Sequence, residues 1–156
     1  MAIFRKDTVP ETEGVSGYPG PYNLGRGNLV YRHYTEAGGL TQFGAAVETL
    51  LPGGQSSQMH WEEREDEFLL MLTGQLTVVE DGVEAEIGPG DTCVWKSGTP
   101  VAHCLKNKGA APATYLIVGT RDPLNITHYP GLDMLATPQG YTHLDGTPYP
   151  KEGKKT

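Results

Sequence analysis

Residues 54–74 read GQSSQMHWEEREDEFLLMLTG, and the fold follows from the pattern of this stretch. His60 and Glu62 are separated by one residue, so on a strand both side chains project from the same face. Glu67 begins the next strand after an acidic turn, and in a hairpin its carboxylate would lie across from the first pair. The stretch therefore predicts two short strands that bring one imidazole and two carboxylates together.

The rest of the chain also reads as short strands separated by turns. QLTVVE and VEAEI flank Asp81-Gly82, a strong signal for a hairpin turn. TCVW, VAHCLKN and ATYLIVGT follow, and the chain contains 21 glycines and 12 prolines that break the runs. FLLML is apolar at every position, which is typical of a strand buried on both sides, inside a sandwich or at a subunit contact. The pattern predicts an all-β fold, a β-sandwich or jelly roll.

A third strand adds a second imidazole, His103. Two imidazoles and two carboxylates that converge on one interior suit a divalent ion such as Mn, Fe, Zn or Ni. The two carboxylates would also cancel the charge of the ion, which lowers the cost of burying it. The sequence predicts a metal site built from His60, Glu62, Glu67 and His103.

The spacing within residues 54–74 resembles the first motif of the cupin superfamily. That motif consists of a glycine, five residues, His-x-His, three or four residues, a glutamate, six residues and a second glycine. Gly54, His60, Glu67 and Gly74 stand at these spacings. Glu62 stands where the family usually has its second histidine.

Residues 90–107 resemble the second cupin motif, which runs from a glycine through Pro-x-Gly to a histidine and an asparagine. His103 and Asn107 keep the final spacing. Lys96 replaces the proline, and two extra residues separate Gly98 from His103. The flanks, such as GTRDPLNITHYPGLDML, are similar to a group of bacterial single-domain cupins, some of which are labelled sugar phosphate isomerases.

The resemblance covers roughly residues 40–120 and implies a cupin-type double-stranded β-helix, often dimeric. It also implies metal ligands at His60, Glu67 and His103, with Glu62 at the fourth ligand position. Three outcomes are open for Glu62. Its carboxylate binds the metal, it acts as a base beside the metal, or the metal is lost altogether.

The resemblance and the turn pattern divide the chain into three parts. Residues 1–28 are rich in Gly, Pro and Tyr and are interpreted as an extended arm, either a disordered leader or a segment that packs on a partner subunit. Residues 29–122 form the cupin β-barrel. Residues 123–156 are predicted to be an irregular C-terminal segment, because prolines forbid long regular elements there: Pro123, Pro130, Pro138, Pro148 and Pro150.

Composition excludes several classes of function. A net charge of -7 and scattered basic residues argue against nucleic acid as a partner. No run approaches the roughly 18 apolar residues of a membrane span, and the first residues lack the apolar core of a signal peptide. Cys93 and Cys104 do not make a disulfide framework. A cytoplasmic protein is therefore expected, and whether the two cysteines pair is left open.

The expected function is that of a metal-dependent enzyme on a small polar molecule, a sugar derivative or a carboxylated metabolite. The metal would act as a Lewis acid, and Glu62, or Glu67 if it is not a ligand, would move a proton in an isomerisation or β-elimination. With iron, dioxygenase chemistry becomes possible. The alternatives are a non-catalytic ligand- or metal-binding module and an inert structural cupin. A homodimer is expected. Three basic residues could bind an anionic substrate, although the sequence does not place them at the site: Lys96, Arg32 and Arg121.

Overall fold

Short strands followed by turns that contain glycine make up most of the chain, and the all-β prediction is confirmed. The computed structural model describes residues 3–5, 8–24 and 26–150. Residues 1–2, 6–7 and 25 of the predicted arm and residues 151–156 of the predicted C-terminal segment lie outside the described residues. A 3-10 turn (Gly20–Tyr22) and a four-residue helix α1 (Tyr34–Ala37) accompany the strands. The strands are β1 (Thr12–Val15), β2 (Arg26–His33), β3 (Phe43–Leu50), β4 (Trp61–Glu62), β5 (Glu67–Thr73), β6 (Leu76–Glu80), β7 (Val83–Ile87), β8 (Thr92–Trp95), β9 (His103–Lys106), β10 (Ala113–Thr120), β11 (Thr127–His128), β12 (Leu135–Thr137) and β13 (Gly140–Thr142).

The strands form one large sheet that faces two smaller ones. The large sheet has the order β1-β2-β3-β10-β5-β8, and the smaller sheets have the orders β7-β6-β9 and β13-β12-β11-β4. An isolated antiparallel bridge between His60 and His103 joins the two smaller sheets. In that bridge the N–H of His60 donates to the carbonyl of His103 at 3.2 Å, and the reverse hydrogen bond is 2.9 Å long. Two predicted site residues are therefore neighbours across the bridge.

The core lies between the inner face of the large sheet and β6 and β9. Burying a side chain such as leucine or methionine there contributes about 1.5–3 kcal/mol. The buried cluster consists of Leu50, Leu69, Met71, Leu76, Val78, Leu105, Ala113 and Tyr115.

Gly74, which ends the first motif, is required by its backbone. Its φ is +77°, in the left-handed region that favours glycine. A Cβ atom at this position would also lie 2.8 Å from the Cα and Cβ atoms of Ala113. The glycine therefore lets β5 turn tightly into β6 against the start of β10.

The expected hairpin between the strands of Glu62 and Glu67 is wrong. β4 pairs with β11, whereas β5 pairs with β10 and β8, so the two strands belong to different sheets. The acidic turn crosses between the sheets because its backbone is bound to other segments. The N–H of Glu63 donates to the carbonyl of Ile126 at 3.1 Å, and the N–H of Asp66 donates to Oγ1 of Thr120 at 2.8 Å. Glu67 consequently faces the histidines across the interior.

The C-terminal segment has more regular structure than its prolines suggested. It contains β11, β12 and β13, which extend the sheet of β4. Tyr129 and Met134 of this segment are buried. Prolines at 130 and 138 stand next to or between these two- and three-residue strands, so they limit the length of the strands without preventing them.

The apolar strand β5 is covered on one face only. Leu69 and Met71 are buried, whereas Phe68 and Leu72 on the other face are 38% and 40% exposed. Next to them on β8, Val94 is 72% exposed. The homodimer stays a prediction, and this face is where the predicted subunit contact would lie.

Two further expectations concern the whole chain. Cys93 and Cys104 are free thiols. Within the described part of the chain, no helix has the length and apolar character needed to cross a membrane.

Candidate metal centre

Three of the four predicted ligands lie together. The ligand atoms of His60, Glu67 and His103 are all within 4.8 Å of one another. His60 precedes β4, Glu67 begins β5 and His103 begins β9, so the two facing layers of the fold both contribute. Nitrogen and oxygen ligands bind ions such as zinc at about 2.0–2.2 Å, so one ion can contact all three after small side-chain shifts.

His60 is oriented by the chain just before it. Its Nδ1 lies 2.9 Å from the carbonyl oxygen of Gln58 and 3.2 Å from the hydroxyl oxygen of Ser57. A carbonyl only accepts hydrogen bonds, so Nδ1 carries the proton and Nε2 keeps its lone pair. Burial, followed by the proximity of His103, lowers the pKa of His60. The residue is thereby kept neutral, which is the form that binds metal.

His103 is paired with Glu67 and covered by Trp95. Its Nε2 lies 2.7 Å from Oε2 of Glu67, and its ring stacks on that of Trp95 with 3.8 Å between centroids and 7° between planes. His103 is buried, and its Nδ1 has no hydrogen-bond partner among the described residues. Since the carboxylate accepts the Nε2 proton, Nδ1 is the bare nitrogen of that tautomer. Metal binding at Nε2 would require the other tautomer of His103, in which the proton is carried by Nδ1.

Glu62 lies beside these ligands, outside the group of three. Its Oε1 accepts a hydrogen bond of 3.3 Å from the hydroxyl of Thr127. It lines a side recess that it shares with Glu65, Glu67 and His103. Burial and the neighbouring carboxylates of Glu65 and Glu67 raise the pKa of Glu62 to about 7, against the hydrogen bond from Thr127.

A cavity of about 160 Å³ opens next to the three ligands. Glu48 of β3 and Tyr115 of β10 are register partners and form part of its wall. The Tyr115 hydroxyl donates a hydrogen bond of 2.7 Å to Oε2 of Glu48. Burial is the main cause of the raised pKa of Glu48; the Tyr115 hydrogen bond lowers it and the charge of Glu67 raises it.

Sequence reasoning missed Glu48. The available signal was its place in FGAAVETL, where it has the same strand phase as Ala46 and Leu50, two buried apolar residues. A carboxylate on the buried phase of a strand is unusual enough to mark a site.

Comparison with known proteins identifies the family of the chain. A cupin domain model matches residues 46–119. The crystal structure of a sugar phosphate isomerase from a cupin superfamily, from Silicibacter pomeroyi, is similar, and its chain is 34% identical in sequence to this one. The match covers 96% of this chain and 97% of that chain, with a TM-score of 0.86. The chain belongs to the cupin family.

Other solved structures share the cupin fold. A predicted oxalate decarboxylase from Thermotoga maritima is 25% identical, over 76% of this chain and 98% of that chain, with a TM-score of 0.61. A polyketide cyclase from Streptomyces resistomycificus is 18% identical, over 78% of this chain and 80% of that chain, with a TM-score of 0.61. The second likeness shows the fold alone. No curated protein sequence matches the chain.

In this cupin the remaining histidines and Trp61 lie outside the cavity. Trp61 stacks on His128 with 4.1 Å between centroids, and Nε2 of His128 lies 2.8 Å from Oε1 of Glu63. Nδ1 of His143 lies 2.7 Å from Oδ2 of Asp133. His33 lies 4.0 Å from Glu36.

The three basic residues considered for an anionic substrate are also placed elsewhere. Arg32 forms an ion pair of 2.9 Å with Glu11, and Arg121 one of 3.1 Å with Glu36. Lys96 lines the side recess of Glu62 and an outer groove. The cavity next to the metal ligands is therefore bounded without these cations.

Proposed function

We propose that this cupin binds one divalent metal ion through His60, Glu67 and His103 and moves a proton on a small polar metabolite, as an isomerase or lyase. The observation that carries the proposal is the convergence of the three ligand atoms at the wall of a polar cavity. Two imidazoles and one carboxylate suit Mn, Fe, Zn or Ni, and with iron they are the ligand set of many oxygenases. When bound, the ion supplies a Lewis acid that polarises a carbonyl or hydroxyl group of the substrate.

We assign the proton transfer to Glu62 as the general base. A general base has to reach the proton directly or through one water. Glu62 does not line the cavity itself but a side recess of about 10 Å³ that also borders Glu67 and His103, so we propose that it reaches a substrate at the ligands from this side, directly or through one water. Trp95 stacks on His103 and thereby excludes water from one face of the ring. The sugar phosphate isomerase from Silicibacter pomeroyi supports the isomerase form of the proposal.

Metal content tests the first half of the proposal. Protein purified without a metal-affinity tag should retain about one ion of Mn, Fe, Zn or Ni per chain in elemental analysis. His60→Ala, Glu67→Ala and His103→Ala should each lose it. His143→Ala is the matched control, because His143 also pairs with a carboxylate but lies outside the cavity. An apoprotein that takes up no ion, or ligand variants that retain it fully, would overturn the metal site.

Proton exchange tests the second half. Metal-loaded protein is incubated in D2O with small hydroxycarbonyl compounds, starting with glyceraldehyde and dihydroxyacetone, and deuterium on carbon is followed by NMR. The proposal expects deuterium next to the carbonyl with wild-type protein. Glu62→Gln should reduce the exchange at least a hundredfold while metal content stays unchanged. If Glu62→Gln catalysed the deuterium exchange at the wild-type rate, a group other than Glu62 would transfer the proton.

A further inference from the structure

The cavity next to the metal ligands has a polarity that limits what can enter it. Its polar wall consists of carboxyl and hydroxyl groups, from Glu48, Tyr115, Ser56 and Ser57, besides the ligands themselves. Among the described residues, no lysine or arginine lines it. Apart from the proposed metal ion, the described wall therefore offers hydrogen-bond acceptors and hydroxyls, and no lysine or arginine for a phosphate group.

Glu48 and Tyr115 determine which hydrogen-bonding groups this wall offers to a ligand. The Tyr115 hydroxyl is committed to Oε2 of Glu48 at 2.7 Å, which leaves Oε1 of Glu48 without that partner. Tyr115 itself is 1% exposed and cannot turn away without disturbing the core. A ligand hydroxyl can donate to or accept from this carboxyl group in either of its protonation states, whereas a phosphate dianion only accepts.

The nearest candidate cation does not change this balance. Lys96 is exposed and lines the side recess, where it stands with Glu62, Glu65 and Glu67. Three carboxyl groups thus accompany one ammonium group. At about 10 Å³ the recess is too small to admit a phosphate group, so Lys96 does not hold one there.

The volume of the cavity points in the same direction. At about 160 Å³ it lies below the roughly 300–1,000 Å³ of sites for drug-sized ligands, so it suits a small ligand. Among the described residues, its wall has hydroxyl groups and no lysine or arginine to hold a phosphate group.

We infer that the cavity selects a small uncharged ligand that carries hydroxyl groups, bound between the metal ligands and Glu48, and that it discriminates against the phosphate ester of the same ligand. This inference rests on the proposed function, because the metal centre forms the opposite wall. It assigns to this chain a substrate class different from that of the sugar phosphate isomerase it resembles.

The experiment compares glyceraldehyde with glyceraldehyde 3-phosphate on Mn²⁺-loaded protein. Retention of Mn²⁺ is measured first, by the EPR signal of the free ion. Binding of each compound is then followed through the enhanced relaxation of its protons near bound Mn²⁺. We expect the phosphate ester to bind at least ten times more weakly than glyceraldehyde.

Variants locate the effect. Glu48→Gln keeps the size of the side chain and should weaken glyceraldehyde binding at least fivefold, with Mn²⁺ affinity unchanged within twofold. Thr49→Val is the matched control, because Thr49 is adjacent on β3, has the opposite strand phase and pairs with Thr114 at 2.9 Å. It should change neither quantity.

The outcomes separate the two proposals. If Mn²⁺ is not retained, the proposed function fails and this inference fails with it. If Mn²⁺ is retained but the phosphate ester binds as well as glyceraldehyde or better, or neither compound binds, this inference alone is overturned. The same holds if Glu48→Gln binds glyceraldehyde as the wild type does.

Discussion

The backbone N–H of Gln58 donates a hydrogen bond of 3.2 Å to the hydroxyl of Tyr18. The carbonyl of the same residue accepts the Nδ1 proton of His60, and its side-chain amide donates to the carbonyl of Tyr22 at 2.8 Å. The segment between β1 and β2, which belongs to the predicted arm, is thus connected to a proposed metal ligand through one residue. Groups that hold the second nitrogen of a ligating histidine tune the metal affinity of the first.

Tyr18→Phe should weaken metal binding about three- to tenfold, because it removes the hydroxyl that holds Gln58 and leaves His60 itself intact. The affinity is measured by competition between the protein and a chromophoric chelator for Co²⁺ or Zn²⁺. Tyr22→Phe is the control, since the Tyr22 hydroxyl accepts from Asp133 and only its backbone carbonyl contacts Gln58. Equal affinities of the two variants would show that the arm does not act on the metal centre.

Glu62→His tests whether position 62 faces the ion. Outside the group of three ligand atoms, the Glu62 carboxyl is bound to Thr127. We therefore expect the histidine variant to bind metal within about threefold of the wild type in the same competition assay. Substantially tighter binding would make position 62 the fourth ligand, as the resemblance to the cupin motif implied.

The pH dependence of stability follows from the raised pKa of Glu62. In the folded, metal-free protein the raised pKa keeps the proton on Glu62 up to a pH of about 7, whereas in the unfolded chain the group loses it near its ordinary pKa of 4.5. The folded state binds more protons between these values, so this group makes the free energy of unfolding fall as the pH rises through that window. Glu62→Gln cannot lose a proton and should gain stability relative to wild type between pH 5 and pH 7.

Urea unfolding at several pH values in the presence of EDTA measures this difference. Glu86→Gln, which removes an exposed carboxyl on the edge strand β7, provides the baseline. A difference between wild type and Glu62→Gln that stays constant across the window would contradict the raised pKa of Glu62 in the folded protein.

The sequence predicted the parts of this molecule that depend on local spacing. The separation of Gly54, His60, Glu67 and Gly74 identified the strands and two of the three proposed ligands, because the turn glycines and the strand period act over a few residues. Local spacing could not predict which strands pair with one another. β4 and β5 are adjacent in sequence and belong to different sheets, and this pairing depends on contacts with residues about 60 positions later, such as Ile126.

The wall that Glu48 forms with Tyr115 also depends on strand pairing, which local spacing does not predict. Glu48 and Tyr115 are 67 residues apart and meet because β3 and β10 are register partners. Glu48 alone reads as one polar residue in an apolar strand. The pairing of β3 with β10 places Glu48 in the cavity wall next to the proposed metal ligands.

The second motif ends at Asn107, and its role is structural. Its side chain is 1% exposed and donates hydrogen bonds to the carbonyls of Leu50 at 2.8 Å and Ala111 at 2.9 Å. Its Oδ1 accepts the N–H of Gly109 at 3.0 Å. The residue thus ties the end of β3 to the loop between β9 and β10.

Asn107→Ala should lower the free energy of unfolding by about 2–4 kcal/mol, because each buried group left without a partner costs about 1–3 kcal/mol. Urea unfolding of the metal-free protein measures the change. Lys108→Ala, next in the chain, removes only an exposed ion pair with Glu84 and should cost less than about 1 kcal/mol. Asn107→Asp separates packing from hydrogen bonding. It keeps the side-chain shape and the Oδ1 acceptor, but it replaces the amide donor by a carboxylate oxygen that faces the carbonyls of Leu50 and Ala111. It should destabilise the protein at least as much as alanine does, and a milder effect would mean that the shape of Asn107 matters more than its two donated hydrogen bonds.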